Sequence, residues 1–216
     1  MRNLTTILIA GTALTILSLN PVCAQENNES NILNGQVDLN SSVSKLNTSV
    51  VNTSGNVAID TTAGGNNAEI ITMNDTNVQT GQFTGGGADI VSIGNVNVQN
   101  TVGTVSIGSQ AICNATDVST DPHDVNIANN QICDAVDPYS ELNANVSNTQ
   151  NDVSIAGTAI GNSFSEDTNA PNSWVSTNQI NNASVESVVN ASVANTLGNV
   201  AVSSTAVGNT VQIVHY

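Results

Sequence analysis

The chain has 216 residues, with two basic side chains, Arg2 and Lys45, against 17 acidic ones, and a formal net charge of −15. With so few cations there is no electrostatic footing for nucleic acid, and phosphoryl transfer lacks its usual Lys or Arg clamps. Charged residues make up only 9% of the chain and aromatics 2%, while 35 residues are Asn and 27 are Val. That composition lacks the Ala/Leu/Glu/Lys stretches of a helical bundle. It has the β-branched residues that pack on a pleated surface, and it is too sparsely charged to read as disordered.

Residues 1–24 read as a secretory signal peptide. Arg2 gives a short positive start, Leu4 to Leu19 an apolar stretch, and Val22-Cys23-Ala24 small side chains before a cleavage site. The stretch is short and Thr-rich for a membrane span. The residues before Cys23 depart from the Leu-x-small-Cys pattern of a lipoprotein. Export by a Sec-type route is expected, to the cell surface, the outer membrane or the medium, with the periplasm as a further location. A short leader, 25–31, follows. The remainder, 32–216, reads as one repeat domain with no further apolar segment of spanning length.

Four copies of one pattern carry that domain. They run from Asn52 to Asn66, Asn100 to Asn114, Asn148 to Asn162 and Asn195 to Asn209, and share N-T-x-x-x-V-[SA]-[IV]-x-x-[TQ]-A-x-[GC]-N with starts 48, 48 and 47 residues apart. A fainter series, Gln36, Gln82, Gln131 and Gln179, each followed by an apolar residue, lies 16 to 18 residues upstream of the Asn-Thr pairs. Runs such as Val153-Ser154-Ile155 alternate with period two and predict short strands. Gly-Asn pairs at 161–162 and 208–209 are corner chemistry, because both residues tolerate positive φ. A single unit cannot bury its apolar side, but stacked neighbours can. The expected fold is therefore all-β, a β-solenoid in which Asn sits over Asn as an amide ladder. A β-sandwich is the alternative.

Residues 114–143 hold six acids together with Pro122, His123 and Pro138, and read as an acidic loop inserted between the second and third units. Cys113 and Cys133 flank much of it. In an exported chain they are expected to form a disulfide, which would be worth about 3 kcal/mol in the chain-entropy model. A zinc set of Cys113, His123 and Cys133 is the competing idea, but C-x9-H-x9-C lacks the short ligand spacing of structural sites. The acids show no EF-hand pattern, so no metal and no cofactor is expected.

The chain has no G-x-S-x-G or H-E-x-x-H motif, and nothing places an acid pair such as Glu166-Asp167 across a cleft. An enzyme is not expected. Phe164 and Trp174 flank an irregular segment in the third unit. They are candidate sugar contacts, or else end-capping and corner-filling hydrophobes.

The Thr-Ala-x-Gly-Asn runs at 158–162 and 205–209, on an exported chain rich in Asn, Val and Ala, resemble the holdfast-anchoring, HfaD-like surface proteins of alphaproteobacteria. More loosely they resemble curlin-type fibre subunits. The resemblance implies a structural role at the cell surface, anchoring an adhesive to the envelope. The function expected is thus a non-enzymatic adhesion or fibre subunit acting by strand stacking, with itself or with other envelope adhesin subunits as partner. A module that binds surface polysaccharide through 114–143 and the Phe164–Trp174 region is the alternative.

Overall fold

A computed structural model describes residues 30–216 apart from Ala88 and Pro122. The signal segment and most of the leader lie outside those residues, and the first strand begins inside the expected leader, at Ser30. Twelve strands follow, and no helix occurs among the described residues. Each period of the sequence forms one coil of three strands. Coil 1 is β1 (Ser30–Asp38), β2 (Ser42–Thr53) and β3 (Val57–Thr72); coil 2 is β4 (Thr76–Thr84), β5 (Ile90–Thr101) and β6 (Val105–Thr120). Coil 3 is β7 (Val125–Asp134), β8 (Pro138–Thr149) and β9 (Val153–Thr168); coil 4 is β10 (Ser173–Asn182), β11 (Glu186–Thr196) and β12 (Val200–His215).

Every strand pairs in parallel with its equivalent one coil away, giving three four-stranded sheets ordered β1-β4-β7-β10, β2-β5-β8-β11 and β3-β6-β9-β12. Parallel pairing at one-coil offsets makes the molecule a β-solenoid and removes the sandwich alternative. With strands about 4.8 Å apart, the four coils rise through roughly 15–20 Å.

The cross-section is flattened. The first half of each sixteen-residue strand packs on the second sheet, joining Val57, Val105, Val153, Ile107 and Ile155 to Val96, Val98, Leu142 and Val146. The second half packs on the first sheet, joining Ile70, Val118 and Phe164 to Val78, Val125 and Ile127. Between the halves the inward–outward alternation slips by one residue, so Cys113 and Asn114 both point inward, as do Gly161 and Asn162. This is the two-for-one arrangement of a bulge. Glycine fills the first of these positions in coils 1, 3 and 4, and in coils 1 and 3 the backbone of the next coil leaves no room for a Cβ. A Cβ on Gly161 would lie 2.3 Å from the Gly208 carbonyl oxygen.

A second backbone device recurs at Asn52, Asn100, Asn148 and Asn195, all left-handed with φ between 54° and 58°. Asn tolerates that region better than other residues with a Cβ, because its short amide can bond locally. The four lie just before the turn into the long strand, which explains the fixed Asn at the head of each sequence copy.

Residues 114–143 are not an inserted loop. They are the end of β6, all of β7 and the start of β8, paired in register with the coils on either side. Their acids sit at outward strand positions or corners, where solvent keeps them hydrated, and Pro138 opens β8, where its missing N–H breaks no ladder bond. The segment Ser163 to Ser173 is likewise mostly strand, with β9 continuing to Thr168.

The interior amides hold the coils together, so Asn114→Ala is expected to leave several buried polar groups unpaired at about 1–3 kcal/mol each. Urea unfolding should show a lowered midpoint. Asn178→Ala on the exposed surface should change stability by no more than about 0.5 kcal/mol. Equal effects of the two substitutions would contradict an interior load on the ladder.

Candidate functional site

Amide ladders run along the axis both inside and outside the solenoid. Inside, Asn66 Nδ2 donates to Asn114 Oδ1 (3.0 Å), Asn114 to Asn162 (2.8 Å) and Asn162 to Asn209 (2.9 Å). The second hydrogen of each amide goes to a main-chain oxygen of the opposite sheet, such as that of Ile132 at 2.9 Å from Asn114. The glutamine series forms a second interior ladder running the other way. Gln82 donates to Gln36 (2.8 Å), Gln131 to Gln82 (2.8 Å) and Gln179 to Gln131 (2.7 Å). The left-handed Asn52, Asn100, Asn148 and Asn195 form a third, exposed ladder with bonds of 2.9 to 3.1 Å.

A fourth ladder, Asn47, Asn95, Asn143 and Asn190, lies on the outer face of the second sheet with bonds of 2.8 to 2.9 Å. Sequence reading missed it, although it precedes the Asn-Thr pairs by a constant five residues. Beside it stands the row Ser49, Asn97, Asn145 and Ser192, and between the two rows runs a shallow groove of about 920 Å³ along all four coils. Its lining is wholly uncharged and offers amide and hydroxyl donors and acceptors at each strand spacing. Such a surface suits an extended, hydrogen-bonding ligand and brings no positive charge to an anion. Nearby, the Tyr139 hydroxyl donates to Glu141 Oε2 (3.0 Å). Burial, that hydrogen bond, and the charges of Glu141 and Glu186 push its phenol above the ordinary range.

Cys113 and Cys133 are joined in a disulfide that links β6 of coil 2 to β7 of coil 3. Both lie in the interior beside Ala63, Ala111, Ile90 and Val136. His123, the third member of the zinc set, is instead at a corner, with Nδ1 3.5 Å from Asp75 Oδ1. Among the described residues no group of three or more His, Cys, Asp or Glu is placed to hold a metal.

Phe164 and Trp174 do not form a joint surface. Phe164 is 1% exposed and fills an inward row whose neighbouring coils carry Thr116 and Val211, so a sugar contact through its ring is corrected to core filling. Trp174 is 60% exposed, on the outer row that holds Asn77 and Asn126 in earlier coils. Glu166 and Asp167 point to opposite faces of β9, as adjacent strand residues must, and so do not share a cleft.

Glu166 is the buried acid of the molecule among the described residues, in a row with Ile70, Val118 and Ile213. Its Oε1 accepts a hydrogen bond from Ser173 Oγ (2.7 Å), while Oε2 is buried without a hydrogen-bond partner. Burying a polar atom unpaired is costly, so Glu166→Ile, matching its row, is expected to raise the thermal midpoint. A lowered midpoint would show that the carboxyl contributes more than it costs.

Among the described residues no helix is long and apolar enough to cross a membrane. No curated protein and no solved structure matches the chain. A family model described as Holdfast attachment protein D matches residues 20–215, a span that takes in all four coils and every ladder. By that match the chain belongs to the holdfast attachment protein D (HfaD) family.

Proposed function

We propose that this protein is an exported, non-enzymatic subunit of the cell surface that secures a holdfast by β-strand stacking. Family membership supports the surface adhesion role. The observation that carries the mechanism is the state of the two end coils. Strands β10, β11 and β12 form one edge of the three sheets and β1, β2 and β3 the other, with no described element over either edge. Unpaired parallel strand edges are templates for further strands. On coil 4 the residues that would face a further coil include Val200, Val202, Val211 and Ile213, all about half exposed. The equivalent rows are buried in coils 2 and 3, where Val105, Val153, Ile107 and Ile155 are at most 1% exposed. The partner in this reading is a like chain or another envelope adhesin subunit.

Replacing Val211 and Ile213 with Pro should abolish end-to-end association in electron micrographs and thioflavin binding while the far-UV signal of the solenoid is retained. Lys at the same two positions is a gentler variant that charges the edge without removing donors. Unchanged association in both would sink the stacking mechanism.

The axial groove supports a second reading, a surface polysaccharide-binding module. Its uncharged amide banks, with the exposed Trp174 elsewhere on the outer surface, are the features that would contact a glycan. Only this reading expects glycan binding to fall with Asn95→Ala and Asn143→Ala together, or with Trp174→Ala, when end-to-end association is unaffected. Binding that survives all three substitutions would remove it.

A further inference from the structure

We infer that the two ends of the solenoid are complementary to each other, so that coil 1 of a second copy stacks on coil 4 in the register of the internal repeat and sets its Lys45 against Glu186. The inference rests on the stacking mechanism proposed above and specifies its partner, polarity and alignment.

Charge carries the argument. Lys45 is the only Lys or Arg among the described residues, and it lies on coil 1, pointing outward in the row Lys45, Ile93, Glu141, Val188. It takes part in no ion pair there, since the pair formed among the described residues is His123 with Asp75. Coil 4 holds one acid, Glu186, two residues before Val188 on the same outward face of β11. Continuing the register by one coil puts Lys45 of the next copy beside Val188 and diagonal to Glu186. Diagonal neighbours on adjacent strands lie roughly 7–8 Å apart at Cα, within reach of a long side chain.

The remaining acids of the coil 1 strands meet donors. The rows of Asp38, Asp60 and Glu69 end in coil 4 at Asn181, Ser203 and Gln212. Each carboxylate of the incoming copy therefore faces an amide or hydroxyl and no acid faces another. Stacking coil 1 on coil 1 would instead gather these acids and two lysines in one interface, where like charges oppose association.

The interior ladders have matching polarity. The asparagine ladder ends at the donor Asn209 Nδ2 on coil 4 and begins at the acceptor Asn66 Oδ1 on coil 1. The glutamine ladder ends at the acceptor Gln179 Oε1 and begins at the donor Gln36 Nε2. Head-to-tail stacking joins both without reorienting an amide. It also sets Val200 over Val57 and Val202 over Ile59 of the next copy, extending the core rows. Such a contact is heterologous and does not close, so it generates a filament whose axial groove runs on from copy to copy.

The test uses charge reversal in the full chain, followed by sedimentation at low ionic strength and by electron microscopy. Lys45→Glu alone and Glu186→Lys alone should each weaken self-association about fivefold or more, since each turns an attractive pair into a repulsive one. An equimolar mixture of the two variants should assemble like the wild type, because every junction then pairs a Lys with a Glu. The double variant should also recover. If the wild type assembles through β12, as judged by the proline variants, but ignores both reversals, the register is wrong and stacking stands. If the wild type stays monomeric, self-stacking is overturned altogether.

Discussion

In a parallel, in-register stack every side chain meets its own equivalent one strand spacing above and below. That condition selects residue types more severely than burial does. Amides satisfy it best, because each offers a donor and an acceptor and so bonds its copy at both ends; Asn66–Asn114–Asn162–Asn209 and the glutamine ladder do this at 2.7 to 3.0 Å inside the protein. Aliphatic groups satisfy it by contact, as Val57, Val105, Val153 and Val200 do in one row. Like charges fail it. The paucity of charge and the excess of Asn and Val are two expressions of one geometric rule, and the tolerated acids lie where a row is interrupted or faces water.

Much of this is readable from residues alone, because periodicity survives when the letters drift. The 48-residue spacing, the asparagine rows and the cysteine pair all follow from sequence position. The acidic segment misleads because charge and proline are loop signals on average, whereas Asp117, Asp121 and Asp137 are outward or corner residues of an uninterrupted coil. Phe164 misleads for a related reason. A ring looks excessive in a narrow core, yet the adjoining Thr116 and Val211 leave room for it. The groove's one sequence signal, an Asn five residues before each Asn-Thr pair, is lost among so many asparagines until the sheet sets it beside a second polar row.

The outer surface and the ends offer two chemically different kinds of recognition. The outer groove is neutral, with one bank tied into an amide ladder and the other, at Asn145 and Ser192, less fully bonded, so a ligand there would gain by shape and by many weak contacts. The ends present incomplete ladders and half-exposed aliphatic rows, where an added coil would repeat bonds already made elsewhere in the molecule. An attachment protein subject to pulling benefits from the second kind, because load spreads over three sheets at once.

The disulfide between β6 and β7 crosses from coil 2 to coil 3, and so pins a one-dimensional stack at its waist. In such a stack each unit depends on its neighbours for stability, and fraying starts where a neighbour is missing. With the central junction held covalently, coils 1 and 4, each lacking a neighbour on one side, are the ones open to fraying. Oxidation of this cysteine pair therefore favours the middle of the stack over its two tips, the coils that a stacked neighbour would steady.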